Sequence, residues 1–171
     1  MDDFYNNTLD ISTLPKFEEV SFNKLHPSYW TVCLLRILIG SAIIVAVVVF
    51  SLSSVGELFP FKTEIIIGTA LIILLTFLFS YIGFRKKGYA FRTHDVLFQH
   101  GVIATNTIII PYNRVQHVAL HEGALSRIFN LAEIQIFTAG GKDSDIMIPG
   151  IKKSDAENIK QLLMGKIHKE L

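Results

Sequence analysis

Two long apolar stretches dominate the first half of the chain. Residues 65–84 read IIIGTALIILLTFLFSYIGF and carry no formal charge. At about 1.5 Å of helix rise per residue, a stretch of this length reaches roughly 30 Å, the thickness of the hydrocarbon core of a bilayer. Residues 30–52 have the same apolar character, apart from one arginine. The pattern therefore predicts two membrane-spanning helices.

The segment between the two stretches, residues 53–64, is short and contains Gly56 and Pro60. Such a segment is typical of a turn, so the two helices are predicted to form an antiparallel hairpin. It carries one lysine, whereas four cations follow the second stretch between residues 85 and 92. By the positive-inside rule, both termini are expected in the cytoplasm of a bacterium, with the protein a multi-pass protein of the inner (cytoplasmic) membrane.

Arg36 interrupts the first apolar stretch, about two turns in from Trp30. An arginine near the bilayer centre would cost several kcal/mol, so its depth matters. The favoured interpretation is that its side chain extends back to the lipid phosphates. The alternative is a buried charge that pairs with Glu64 or marks an ion path, although these two residues are expected at opposite faces of the membrane.

The hydrophobic period changes after residue 88, where apolar and polar positions begin to alternate. This alternation is typical of β-strands. We expect one hairpin from residues 89–92 and 96–100 and a second from residues 102–104 and 107–110. Further strands are predicted at residues 115–120, 132–138 and 145–148, with a helical turn at 124–129. In the clearest strand, inward Ile134 and Ile136 alternate with outward Glu133 and Gln135.

The chain ends in a predicted amphipathic helix. Ser154 and Glu157 have the spacing of a capping box, in which each side chain bonds a free backbone N–H of the first turn. The residues expected on the buried face are Ile159, Leu162, Leu163 and Ile167, and those expected to face water are Lys160, Gln161, Lys166 and Lys169. A half-open β-barrel whose mouth this helix plugs would bury both apolar surfaces.

The sequence thus predicts an α+β membrane protein: a two-helix transmembrane hairpin followed by a β-barrel with a C-terminal capping helix. Three segments are expected. Residues 1–28 form a mostly irregular cytoplasmic arm, with a short interfacial turn around residues 17–22; residues 29–84 form the hairpin, with spans at about 30–52 and 65–84; and residues 85–171 form a cytoplasmic domain.

Composition and charge support the membrane assignment. Half of the residues are hydrophobic (50%) and the mean hydropathy is +0.43, which is high for a soluble protein. The formal net charge is only +1, but an excess of basic residues directly follows the second apolar stretch. Arg85, Lys86, Lys87 and Arg92 are expected at the membrane surface, where each would contribute about 1 kcal/mol against anionic lipids. Cys33 is the chain's one cysteine, so no internal disulfide forms.

Catalytic chemistry has little support in the sequence. His117 and His121 have the spacing of a zinc pair on a helix, but they lie in a stretch predicted as strand and loop and have no third ligand. The glycines at 140 and 141 precede Lys142 in a turn that lacks the length of a phosphate-binding loop. We therefore predict no catalytic, cofactor or metal site, no enzymatic activity and no nucleic-acid partner.

Several motifs in the second half resemble a known family. They are GYAF at 88–91, IPYNRVQHV at 110–118, GALSRIFNLA at 123–132 and IFTAG at 136–140. In this order and spacing they are similar to those of the bacterial pleckstrin-homology-like (bPH2) domains, and the chain from about residue 30 onward resembles their two-span membrane form, the YdbS-like family. The family usually has glycine at the position of Asn130, but asparagine also tolerates the left-handed conformation.

The resemblance implies a PH-like barrel, a membrane location and no established catalytic residues. Arg114 and Arg127 lie in the matching motifs; they are either structural or part of a partner-binding surface. We expect the PH-like domain to serve as an interaction or oligomerisation module, with a partner that is another copy of the chain or a related PH-like membrane protein. The alternative is a small oligomeric channel or transport accessory, for which Thr69, Thr76 and Ser80 would provide the polar lining.

Overall fold

The computed structural model describes residue 10 and residues 19–54, 60–141 and 144–170, the last four of these by their backbone. Most of the predicted N-terminal arm, the centre of the turn between the spans, Lys142 and the side chain of Ile167 therefore lie outside the described residues. Of the predicted turn at residues 17–22, residues 19–22 are described.

Two helices correspond to the predicted spans: α1 (Ser28–Ser54) and α2 (Lys62–Lys86). Within the described chain, both are long and apolar enough to cross a bilayer, and almost none of their apolar surface is buried. A core helix of a soluble protein would bury that surface instead. The helices lie side by side, with the Trp30 ring edge-on to the Tyr81 ring at 5.1 Å between centroids. The predicted pair of spans is confirmed.

Seven strands form two antiparallel sheets in the described chain. The first sheet contains, in spatial order, β1 (Asn23–Lys24), β2 (Gly88–Phe91), β3 (Asp95–His100) and β4 (Asn106–Pro111). The second contains β5 (Val115–His121), β6 (Leu131–Thr138) and β7 (Ile146–Lys152). A 3-10 helix (Tyr112–Arg114) joins the sheets, α3 (Ala124–Ile128) precedes β6, and α4 (Lys153–Glu170) follows β7. This architecture confirms the predicted α+β fold with a PH-like barrel.

Strand β1 comes from the segment that precedes the membrane helices, where the sequence predicts no strand. Asn23 pairs with Tyr89 and Lys24 with Gly88, so β1 and β2 are antiparallel neighbours. The approach is close, because a Cβ on Gly88 would lie 3.0 Å from the Phe22 Cβ. The transmembrane hairpin is therefore an insertion between two neighbouring strands of one sheet.

The predicted hairpin of residues 102–104 with 107–110 is wrong. Strand β4 pairs with β3 instead, from Asp95 opposite Pro111 to His100 opposite Asn106. Residues 101–105 form the connecting loop, which begins at Gly101 with a φ of +132°. A Cβ at Gly101 would collide with the carbonyl oxygen of Ala104, so the chain turns back too sharply here for a strand.

The core lies between the sheets and is completed by α4. Ile134 and Ile136 are fully buried while Glu133 and Gln135 are partly exposed, as the alternation predicts. Asn130 adopts the left-handed conformation, with a φ of 54°, which confirms that asparagine can replace the family's glycine there.

The predicted buried face of α4 is only partly correct. Ala156 and Leu163 are fully buried and Ile159 packs against them, but Leu162 is 49% exposed. Positions 156, 159 and 163 are three and four residues apart and share one side of the helix, whereas position 162 is rotated away from it. The capping box does not form, because the helix begins at Lys153 and the Ser154 hydroxyl donates to the Asp155 carboxylate.

Candidate functional site

The first turns of α1 belong to the core of the domain. Leu25, Tyr29 and Val32 are buried together with the isoleucines of β6 and β7. The backbone N–H of His26 donates to the Gly150 carbonyl at 2.8 Å. Gly150 has a φ of +68°, and a Cβ there would lie 2.7 Å from the Tyr29 Cβ. The membrane helix and strand β7 are thus packed directly on each other. The apolar pattern does not predict this contact, because it indicates only a span that begins at about residue 30.

Arg36 lies where α1 leaves the domain. A Cβ on Gly123, just before α3, would stand 3.4 Å from the Arg36 Nη2 atom. Arg36 also lines a mostly apolar cavity of about 260 Å³ between α1 and α2 at the level of Thr76. Glu64, by contrast, lies in the first turn of α2. Twelve helical residues, about 18 Å, separate Thr76 from Glu64, so the alternative pairing of Arg36 with Glu64 is not formed.

Three of the four predicted membrane-surface cations lie together at the end of α2. Arg85 and Lys86 occupy its last turn and Lys87 follows it. The Lys86 Nζ donates to the carbonyl oxygen of Val102 at 2.6 Å, which holds the loop of residues 101–105 against the helix. Cations at a helix C-terminus also interact favourably with the helix dipole.

Arg92 does not lie with these three cations. It follows β2, whose four residues carry it about 13 Å from the end of α2. There its guanidinium forms a two-point pair with Asp95, with Nε at 2.6 Å from Oδ1. The hydrogen bond with Asp95 raises the pKa of Arg92. Arg92 therefore closes the β2–β3 turn, and its place at the membrane surface stays a prediction.

Tyr112 is the buried anchor of this distal end of the domain. Its hydroxyl donates to the Arg92 carbonyl at 2.7 Å, and the residue is 1% exposed. Burial raises the pKa of Tyr112 to about 12, and the Asp95 carboxylate adds to the shift. Lys166 of α4 lies 5.9 Å from the Tyr112 ring centroid and donates to the Thr93 carbonyl at 3.1 Å, so it does not simply face water as predicted.

Arg114 and Arg127 flank β5 at opposite ends. Seven strand residues, about 23 Å, separate them, so the two arginines are not neighbours. Arg127 is exposed on α3, at the end of the domain from which the helices leave. Arg114 is exposed at the other end, where its carbonyl accepts the Ala139 N–H at 3.2 Å.

A groove runs along the outer edge of β4. Its volume is about 430 Å³, and its lining comprises residues 108–111, Arg114, Thr138, Gly140 and Ser144. Within the described chain, β4 pairs only with β3, so its other edge is not part of a sheet. Ile109, at 41%, is the exposed large apolar side chain on this strand. An apolar strand edge beside a groove can accept an extended peptide as an additional strand.

A second, larger cleft of about 720 Å³ opens between the two sheets. Its charged and titratable lining mixes both signs, with Lys87 and His100 beside Glu133 and Asp145. The cleft therefore has no lining of a single charge sign that would attract either an anion or a cation. In the part of the chain that the structure describes, no three histidine, cysteine or acidic side chains gather as a metal site. His117, one of the two histidines considered as ligands, stacks on Phe137 at 4.1 Å.

The family model for the bacterial PH domain matches residues 29–167. The chain belongs to this family. The bacterial PH domain match includes both membrane helices and extends into α4, and it begins after β1. The family resemblance carried by the sequence motifs is thereby confirmed.

Two proteins from Bacillus subtilis (strain 168) are similar to part of the chain. The chain is 28% identical over 88 residues to the UPF0699 transmembrane protein YdbS, covering 52% of the chain and 54% of that protein. It is 30% identical over 88 residues to the UPF0699 transmembrane protein YdbT, covering 51% of the chain and 18% of that protein. No solved structure matches. The relatives' transmembrane nature and the two apolar helices establish a membrane location for the chain.

Two of the polar side chains considered as a pore lining form hydrogen bonds within α2. The Thr69 and Thr76 hydroxyls donate to the carbonyls of Ile65 and Ile72, each at 2.8 Å. The described helices therefore offer no observation that favours the channel alternative.

Proposed function

We propose that this protein is a non-enzymatic protein of the bacterial cytoplasmic membrane. In this proposal the PH-like domain lies at the cytoplasmic surface and serves as an interaction module. Its partner is a second copy of the chain or a related PH-like membrane protein. The cluster of Arg85, Lys86 and Lys87 at the end of α2 supports the cytoplasmic orientation, because such clusters are retained on the cytoplasmic side.

The observation that carries the proposal is the free edge of β4. This strand reads NTIIIP and has no charged residue. Proteins usually protect sheet edges with charges, proline or a bulge. Here only Pro111, at the last position, lacks a backbone donor. The edge is therefore open to pairing over most of its length.

The groove beside β4 supplies what a strand-addition site requires. Main-chain groups of β4 would give affinity, and the neighbouring side chains would give selectivity. Ile109 provides exposed apolar surface, and Arg114 provides a cation at the distal end of the groove. Arg114 is thus assigned to the interaction surface, while Arg127 lies outside it.

A related membrane protein is a reasonable class of partner. The match to YdbT covers only 18% of that protein, so YdbT is much longer than the region it shares with this chain. A longer membrane protein with a similar segment would present a domain of similar shape at the same membrane surface. This inference rests on analogy, since fold alone does not determine partners.

Native mass spectrometry of the full-length chain in nanodiscs tests the proposal. We expect a defined oligomer or a stoichiometric membrane partner. Ile109→Lys should disrupt that complex, because a charge on a free strand edge opposes pairing. Leu162→Lys is the matched control, since Leu162 is comparably exposed but lies on α4. A monomer for the unaltered chain, or equal disruption by both variants, would contradict the proposal.

A further inference from the structure

Two isoleucines are the most exposed large apolar side chains on the described part of the domain. Ile103 is 90% exposed and Ile128 is 71% exposed. The other exposed apolar side chains of the strands and α4 range only from 38% to 53%. Single exposed apolar residues are common, but these two share a position that the others do not.

Both isoleucines lie at the end of the domain from which the membrane helices leave. Ile103 is in the loop of residues 101–105, next to Val102, whose carbonyl accepts the Lys86 hydrogen bond. A Cβ on Gly83 of α2 would lie 3.3 Å from the Val102 Cγ2 atom. This loop is therefore packed directly on the last turn of α2.

Ile128 lies on the α1 side of the same end. It is the last residue of α3, and a Cβ on Gly123, just before α3, would lie 3.4 Å from the Arg36 Nη2 atom. The two exposed isoleucines are thus attached to different helices of the hairpin. One is held beside α2 and the other beside α1.

The depth of α3 follows from the position of Arg36. Trp30 packs against Tyr81, and such aromatic residues are typical of the membrane interface. Arg36 is six residues, or about 9 Å, farther along α1 than Trp30. The rest of the helix, residues 37–54, still spans about 27 Å, close to the thickness of the hydrocarbon core. Gly123 and α3 therefore lie level with the lipid headgroups or just below them.

Cationic side chains lie near both isoleucines. This arrangement is expected for a protein surface that contacts anionic lipids. Arg127 precedes Ile128 on α3, and Arg36 lies beside the same helix. Arg85 and Lys86 lie at the end of α2, near the loop that holds Ile103. Apolar side chains flanked by cations bind the interface through burial and electrostatic attraction together.

We propose that Ile103 and Ile128 insert into the interfacial zone of the same membrane that α1 and α2 cross. The contacts, one on each side of the hairpin, fix the tilt of the domain relative to the bilayer. The occupant of this surface is the lipid itself rather than a protein. The surface is separate from the β4 edge, so it does not depend on the identity of any protein partner.

Site-specific labelling of the full-length chain tests this proposal. Cys33→Ala removes the chain's one cysteine, and Ile103→Cys, Ile128→Cys or Leu162→Cys then introduces one labelling position at a time. Each variant carries the same bimane label in nanodiscs of phosphatidylglycerol and phosphatidylethanolamine. Fluorescence is quenched by a lipid with a nitroxide on its acyl chain and, separately, by iodide in water.

The expected result is lipid quenching several times greater at positions 103 and 128 than at position 162, with the opposite order for iodide. Position 162 is the control because it is exposed on α4 and remote from the helix exit. Equal lipid quenching at all three positions would overturn the proposal. Lipid quenching at only one of the two isoleucine positions would overturn the two-sided contact.

Discussion

Tyr29 and Gly150 lie so close together that no larger residue fits in place of the glycine. Tyr29 is in the first turn of α1, and Gly150 is on β7, near the end of the domain's second sheet. A Cβ on Gly150 would lie 2.5 Å from the Tyr29 Cγ. This contact joins a membrane-spanning helix to the domain core.

Replacing Gly150 with alanine should destabilise the domain. The new Cβ costs about 1–2 kcal/mol for the left-handed backbone, and crowding against Tyr29 adds about 1–3 kcal/mol. Gly141→Ala is the matched control, because Gly141 also has a positive φ but nothing within 4 Å of the added Cβ. Chemical unfolding of the detergent-solubilised chain, followed by near-ultraviolet circular dichroism, measures both. Equal losses for the two variants would show that the Tyr29 contact contributes nothing.

A fragment of residues 88–171 should not fold cooperatively. It lacks β1 and three buried side chains, Leu25, Tyr29 and Val32, each worth about 1.5–3 kcal/mol of burial. Their sum is comparable to the whole stability of a small domain, about 5–15 kcal/mol. The control joins residues 19–33 to residues 84–171 through a short flexible linker, which omits the membrane spans but restores these contacts. A cooperative urea transition in the shorter fragment would contradict this prediction.

Lys86→Met should release the loop of residues 101–105. The substitution keeps the apolar stem but removes the hydrogen bond to the Val102 carbonyl, and bonds of this charged kind contribute about 1.5–3 kcal/mol. Hydrogen exchange read by mass spectrometry should become faster in this loop and stay unchanged in β6. Arg85→Met removes a neighbouring charge for which the described structure shows no bond to the loop, and it should leave the exchange unaltered. Slow exchange in both variants would indicate that the loop is held by other contacts.

The domain should lose stability between about pH 10 and pH 12. Burial raises the Tyr112 pKa from its ordinary value of 10.0 to about 12, so the folded state favours the protonated phenol. A group of this kind contributes its full stability below the unfolded pKa and loses it as the pH rises through the folded pKa. Tyr112→Phe should make this dependence shallower in denaturation measured across that range. An unchanged alkaline profile in the variant would rule Tyr112 out as the responsible group.

The sequence predicts the elements that have a clear period and misses those that depend on distant contacts. The alternation in β6 predicts a strand, because it places the apolar side chains on one face that can be buried. The long apolar runs of α1 and α2 predict helices in a bilayer, because they are apolar on all sides. Strand β1 has two residues, too few to show any period, and it exists only because β2 pairs with it. Residues 102–104 are apolar enough to read as a strand, but the backbone of Gly101 decides the turn.

The same distinction applies to the candidate surfaces. The cluster of Arg85, Lys86 and Lys87 could be located from the sequence, because it directly follows a span. Arg92 is close to them in the sequence, but one strand carries it to the opposite end of the domain. The free edge of β4 was not predictable, since it depends on which strands become neighbours in the sheet.

The central claim is that the transmembrane hairpin is inserted between β1 and β2, two neighbouring strands of one sheet. Disulfide formation between Asn23→Cys and Tyr89→Cys, in a Cys33→Ala chain in native membranes, tests it most directly. Opposed antiparallel residues lie about 4.5–5.5 Å apart at their Cα atoms, which is within disulfide range. The account predicts efficient cross-linking of this pair and little for Asn23→Cys with Arg92→Cys, which lies three residues farther along. Equal cross-linking of the two pairs, or none in either, would contradict the insertion.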